Sequence, residues 1–201
     1  MQLTVEKMAY PDAMKLVVDN HYLHRRCHCS VAVGLFDCWE CVGVIIFGKP
    51  ASYTLCEGLF GKEESKNVGE FSRLWVRDDQ PRNTESWFIA RALKFCPYDA
   101  LVSFADSEQG HTGYIYQATN WLYTGVSPKQ RYYRVKSVGS DNPVQYRRRA
   151  RMPKEKIIKL YGTDAVEEYF SSAKYRYVLI LNRKKELLKK LKYKVLPYPK
   201  G

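Results

Sequence analysis

Two apolar runs, Val31–Phe36 and Cys41–Phe47, are joined by only four residues, Asp37–Glu40. Parallel neighbours need a crossover of roughly a dozen residues, so this pair closes as an antiparallel hairpin. The segments around it alternate between strand and helix. Gln2–Lys7 alternates as a short strand, and Pro11 opens a helix whose Met14, Leu16, Val17 and Val18 form an apolar face up to Asn20. His21–Ser30 is a polar, aromatic and basic loop. Glycine and proline punctuate residues 48–68 around a short helix at Tyr53–Leu59.

Further on, Glu70–Val76 reads as a strand, Asp78–Thr84 as a polar turn, and Glu85–Phe95 as a helix. Leu101–Ala105 follows as a buried strand, Gly113–Asn120 as a short helix and Trp121–Tyr123 as a strand. Tyr132–Val138 and Tyr175–Leu181 add two strands, with helical stretches expected at Pro153–Tyr161 and Asp164–Phe170 between them, and a basic helix at Asn182–Leu191 closes the chain. The order β-α-β-β-β-α-β-α-β predicts a mixed α/β (α+β) fold with a mostly antiparallel sheet flanked by helices. Residues 1–138 are expected as the core, 139–173 as a basic helical insert, and 174–201 as the last core strand with the basic C-terminal helix.

Charge narrows the partners. Residues 1–146 are neutral overall, whereas 147–201 carry the entire net charge of +12. Such a basic arm suits a polyanion, because each lysine or arginine that neutralises a phosphate releases a counterion. Arg147, Arg148, Arg149 and Arg151 form its densest cluster and are expected to touch double-stranded DNA. The longest uncharged apolar run, Val42–Gly48, is far short of the ~20 residues of a membrane span, and Met1–Tyr10 carries Glu6 and Lys7 where a signal peptide is apolar. A cytoplasmic protein without a membrane partner is expected.

Six cysteines are then expected as reduced thiols. Cys27-x-Cys29 and Cys38-x-x-Cys41, near His24 and His28, invite a zinc reading, but the spacing is not a standard ligand pattern. No His/Cys/carboxylate constellation for a metal stands out.

Four segments carry a family resemblance. They are Glu70-Phe-Ser-Arg-Leu-Trp-Val, Pro81-Arg-Asn-Thr-Glu-Ser-Trp-Phe, Ser103-Phe-Ala-Asp and Gly113-Tyr-Ile-Tyr-Gln-Ala-Thr-Asn-Trp-Leu-Tyr-Thr-Gly. With the element order they resemble the GNAT acyltransferase superfamily, and more closely the Mom adenine-modification proteins of bacteriophages, from about residue 20 to residue 181. The resemblance implies a GNAT-like fold and transfer of a carbamoylmethyl-type or acyl-derived group to the N6 of adenine in phage DNA, shielding it from restriction.

It also implies roles. Glu70 begins a strand where GNAT enzymes often place a general base, and Tyr116 lies where many place a tyrosine that protonates the leaving group. Asp106, past the end of the next strand, is a second proton acceptor, and Ser103 a hydrogen-bonding partner for base or donor. Arg82, Asn83, Thr84, Glu85 and Ser86 occupy a helix N-terminus, whose open N–H groups suit the phosphates of an acyl-CoA or related nucleotide-like donor. That loop lacks the glycines of the usual GNAT donor loop, and an N-cap role for Asn83 or Thr84 reads equally well. On the acceptor side, Tyr22 suits stacking on an extruded base, with His21 beside it and Arg25 and Arg26 on flanking phosphates. Tyr114 is expected to pack, and Gln117, Asn120 and Trp121 to stabilise the helix-to-strand corner.

The sequence therefore reads as an enzyme, a DNA adenine-modifying transferase. The rivals are a GNAT N-acyltransferase acting on a protein or small-molecule amine, and a DNA-binding protein without chemistry. An adenine methyltransferase is rejected, because Asp141-Asn142-Pro143-Val144 lacks that class's second proline and aromatic residue.

Overall fold

The computed structural model describes residues 3–129, 131–135 and 153–200. The expected DNA contacts Arg147, Arg148, Arg149 and Arg151 lie outside the described residues. The chain divides into two compact units, one formed by residues 1–105, 112–125 and 175–201, the other by 106–111 and 126–174.

The first unit opens with β1 (Leu3–Met8) and α1 (Tyr10–Asn20), which carries a proline in its first turn and buries Ala13, Met14 and Val17. The hairpin β2 (Val31–Asp37) and β3 (Glu40–Gly48) follows, antiparallel as its short turn requires. α2 (Tyr53–Phe60) is capped by Ser52, whose hydroxyl accepts the Leu55 N–H at 3.3 Å. Next come β4 (Val68–Val76), α3 (Thr84–Ala92), β5 (Ala100–Asp106), the short α4 (Tyr114–Ala118) and β6 (Leu122–Val126). β9 (Lys174–Ile180) and α6 (Lys184–Lys190), numbered after the elements of the second unit, complete the first.

Seven strands form one sheet in the order β1-β2-β3-β4-β5-β9-β6. Pairing from β1 to β4 is antiparallel, and β4 meets β5 in parallel, the outcome of the β4–α3–β5 crossover. On one face Val33, Leu35, Ile45, Phe47, Phe88, Ile89, Leu101 and Trp121 build the main core. A second cluster joins Leu59, Phe60, Val102, Val178 and Leu187, and a third packs α1 against Val44 and Ile46.

In the second unit, β7 (Arg131–Val135) pairs antiparallel with β8 (Val166–Phe170), and α5 (Lys154–Tyr161) contributes Ile157, buried beside Tyr133. Here the expected helix at Asp164–Phe170 is corrected: Thr163–Ala165 is a single 3-10 turn, and the β-branched and aromatic residues after it pair with β7.

The chain does not end in its basic helix either. Past α6 an extended strap runs on, with Lys192 N–H bonded to Leu59 O (2.9 Å), Leu196 N–H to Tyr123 O (2.9 Å) and Tyr198 Oη to Trp121 O (2.8 Å). It covers β6, the outermost strand, whose open edge would otherwise invite pairing. No helix among the described residues is long and apolar enough to cross a membrane.

Candidate active site

The parallel β4–β5 ladder is short. Val68 pairs with Ala100, Gly69 with Leu101 and Glu70 with Val102, and there the pairing ends although both strands continue. Gly69 in this ladder leaves room for the Tyr98 ring, with which a Cβ would collide. One residue beyond Glu70, the Phe71 carbonyl is met by a side chain instead of a backbone N–H: Ser103 Oγ donates to it at 2.8 Å.

Ser103 also stands 2.8 Å from Tyr116 Oη. A hydroxyl has one proton, so Ser103 serves the carbonyl or the phenol at a given moment. When it donates to Oη, the phenol's own proton is released to point elsewhere. Tyr116 is set by α4, which starts at Gly113 with φ 86°, where a Cβ would come within 2.3 Å of the Tyr177 ring. The phenol is walled by Phe71 (6.1 Å), Trp121 (5.1 Å) and Tyr177 (5.1 Å), measured between ring centres. Burial pushes its pKa up to about 12, against the Ser103 hydrogen bond, with Tyr22 and Glu70 adding to the rise. Glu70 and Tyr22 therefore act electrostatically on the same phenol. Four of the expected residues, Tyr22, Glu70, Ser103 and Tyr116, are thus linked within one unit.

Arg73 joins them without having been singled out by sequence, beside Cys27, which the zinc reading had named. Opposite β3, Phe47 pairs with Phe71 and Ile46 with Arg73, so Ser72 is an extra residue, a β-bulge. The bulge resets the alternation: Phe71 and Leu74, three apart, share the main core, while Trp75 joins the third cluster. Cys27, from the 21–30 loop, is influenced electrostatically by Arg73. Burial raises its thiol pKa, Arg73 opposes the rise, and Cys29 and Glu70 reinforce it. The Ser-Arg pair inside Glu70–Val76 was the available signal, but simple alternation does not reveal a bulge.

At α3, Asn83 takes the N-cap position in the left-handed region (φ 69°), yet its side chain makes no capping bond. Thr84 Oγ1 donates back to Pro81 O (2.7 Å) and Ser86 Oγ to Asn83 O (2.9 Å), so neither hydroxyl caps the helix. Arg82, Asn83 and Glu85 are exposed and Thr84 is buried. Beside this end a cavity of about 390 Å³ runs between α3 and α4, lined by Asn83, Ser86, Trp87, Leu93, Thr119 and Asn120 among others.

On the loop after α1, His21 is buried and accepts the Leu23 N–H on Nδ1 (3.1 Å), and its ring stacks on Tyr22 at 4.4 Å. Tyr22 is 42% exposed. Arg25 is half-buried, with Nε bonded to Leu23 O (3.3 Å), and Arg26 is exposed. Tyr114, expected to pack, is instead 76% exposed, because α4 is too short to bury both of its tyrosine faces. Gln117 does brace the corner, donating to Tyr177 Oη (3.2 Å), and Asn120 adopts φ 61° there.

Asp106 belongs to the second unit. There its carboxylate accepts from Ser172 Oγ (2.7 Å) and pairs with Lys174 Nζ (2.7 Å). Burial pushes its pKa up, but the bonds from Lys174 and Ser172 outweigh it and hold the group below the ordinary aspartate value. All six cysteines are free, Cys38 exposed and Cys56 buried, and among the described residues no group of three or more His, Cys, Asp or Glu is placed to hold a metal ion.

An N-acetyltransferase from Staphylococcus aureus superposes with a TM-score of 0.50 at 10% identity, covering 90% of this chain and 100% of that one. The sheet and helices are those of a GNAT acetyltransferase fold. In sequence, the methylcarbamoylase Mom of Escherichia phage Mu is 28% identical over 207 residues, covering 99% of this chain and 84% of that protein. The profile of the Mom protein family matches residues 2–200, and the chain belongs to that family.

Proposed function

We propose that this protein is a DNA-modifying transferase that adds a carbamoylmethyl-type or acyl-derived group to the N6 of adenine in duplex DNA and so shields that DNA from restriction. The reading is carried by the Ser103–Tyr116 pair standing where the β4–β5 ladder ends at Glu70. Family membership supports transfer chemistry, and the phage Mu relative is named for a methylcarbamoyl group.

The exocyclic N6 is conjugated with the purine ring and becomes a nucleophile only as it loses a proton. Glu70 accepts that proton while the bond from N6 to the electrophilic carbon forms. The carbon's bond to its carrier breaks, the electron pair leaves with the carrier atom, and Tyr116 supplies that atom with a proton. A phenol held at about 12 keeps its proton at neutral pH, and donation from Ser103 to Oη frees it for delivery.

The donor, an acyl-CoA or related nucleotide-like molecule, supplies the activated carbon. Its phosphates fit the first turn of α3, which no side chain caps, with Arg82 beside it. Asn83 reaches there the left-handed backbone that a glycine usually provides. Tyr22 receives the extruded adenine by stacking, and Arg25, Arg26 and the cluster Arg147, Arg148, Arg149 and Arg151 hold phosphates. Asp106, occupied by Lys174 and Ser172, orders its own unit and leaves the proton-acceptor role to Glu70.

Plasmid from cells producing the protein tests this reading. Restriction endonucleases with adenine in their sites should fail to cut it, and should cut plasmid from cells producing Glu70→Gln. Complete digestion in both cases contradicts the proposal.

A further inference from the structure

We infer that Arg73 receives a carbonyl or carboxylate oxygen of the group being transferred, an assignment that rests on the transfer site proposed above. The first observation is an unused donor. Arg73 Nε is buried and has no hydrogen-bond partner among the described residues. Among the described residues the side chain's one hydrogen bond runs from Nη1 to the carbonyl of its own neighbour Ser72 (2.5 Å), and no carboxylate there forms an ion pair with it. Two other arginines that the fold engages are well partnered. Arg176 bonds Thr124 Oγ1 (3.0 Å) and Thr124 O (2.7 Å) and lies over the Tyr193 ring, and Arg183 grips both oxygens of Glu64 (2.9 Å each). A buried donor left unmatched costs more than an ordinary hydrogen bond returns, so folded chains keep few of them.

Position is the second observation. The bulge at Ser72 places Arg73 three residues past Glu70, just beyond the last parallel pair of β4 and β5. Cys27 is influenced by both Arg73 and Glu70, and Glu70 in turn acts on Tyr116. The cation is thus coupled electrostatically, through Cys27, to the Glu70 that the proposed transfer uses. A guanidinium presents a planar fork that matches the two-oxygen or oxygen–nitrogen edge of a carboxylate or carboxamide. Phosphates have the first turn of α3, which leaves the transferred group as the source of that oxygen. Held this way, the group's reacting carbon is fixed in place, and polarisation of its carbonyl adds to its electrophilicity.

The test uses the wild-type chain and two variants. With 15N-arginine labelling, the Arg73 Nε–Hε resonance, assigned by its loss in Arg73→Lys, should shift saturably on titration with acetate or acetamide and not with sodium chloride. In a modification assay, Arg73→Met should lose about 10–100-fold in rate while binding duplex DNA normally. Arg73→Lys, which keeps the charge without the fork, should fall between Arg73→Met and wild type. A resonance that ignores both probes overturns the inference even if Arg73→Met fails to fold, and a wild-type rate in Arg73→Met overturns it as well. If Glu70→Gln is inactive while Arg73→Met is fully active, this inference alone falls; if Glu70→Gln is also fully active, the proposed transfer site falls with it.

Discussion

Ser103 Oγ lies 2.8 Å from Tyr116 Oη, joining a strand and a helix at the point where the sheet's parallel ladder stops. If Tyr116 delivers a proton, Tyr116→Phe should lower turnover by about 10²–10⁴ without weakening DNA binding. Ser103→Ala should cost less, roughly 2–12-fold, because it removes one neutral hydrogen bond and leaves the acid in place. Single-turnover modification of a duplex, with all variants bound, measures both. Equal rates for Tyr116→Phe and wild type would reduce the phenol to a packing group.

The ion cluster that docks α6 should make the fold acid-sensitive. Glu64, buried, accepts from Arg183 and Lys190 (2.6 Å to Lys190), and these bonds hold its pKa at about 2. A carboxyl whose folded pKa is depressed stabilises the fold above its unfolded pKa, near 4.5, and loses that contribution as pH falls toward 2. Thermal unfolding should therefore move to lower temperature between pH 5 and pH 2. Glu64→Gln should already be destabilised at pH 7 and show a shallower acid dependence; an unchanged pH profile counts against the cluster.

Much of this frame was legible in the chain. The Asp37–Glu40 turn fixed an antiparallel hairpin because four residues admit nothing else, whereas Glu70 and Tyr116 were singled out by the family resemblance of the segments that hold them, and the structure places Ser103 against Tyr116. What sequence did not disclose were consequences of distant pairing. Val166–Phe170 became a strand because β7 offered an edge, and Asp106 found Ser172 and Lys174 more than 60 residues away. The Ser72 bulge broke the period of two on which strand reading depends, so Arg73 went unnoticed beside Glu70. Asn83 sits where a cap was expected but uses its backbone alone.

The basic cluster before α5 should set the salt response. Replacing Arg147, Arg148, Arg149 and Arg151 with alanine should weaken duplex binding across sequences alike and flatten the log–log salt dependence by about 0.9 per lost phosphate contact. Salt titrations of binding measure this, and an unchanged slope would remove the cluster from the DNA interface.

Tyr22→Ala should separate base capture from duplex binding. Stacking on an aromatic ring is worth about 1–3 kcal/mol per base, so modification should drop while affinity for unmodified duplex barely changes. Full activity in Tyr22→Ala would return the ring to its intramolecular stack on His21.

In the proposed mechanism Glu70 and Tyr116 transfer a group to adenine in DNA. Mass spectrometry of nucleosides from the DNA of cells producing the protein tests it most directly. A new deoxyadenosine species, heavier by one constant mass and absent from cells producing Glu70→Gln, is the expected result. Unmodified deoxyadenosine alone in cells that accumulate the folded wild-type protein would contradict the account.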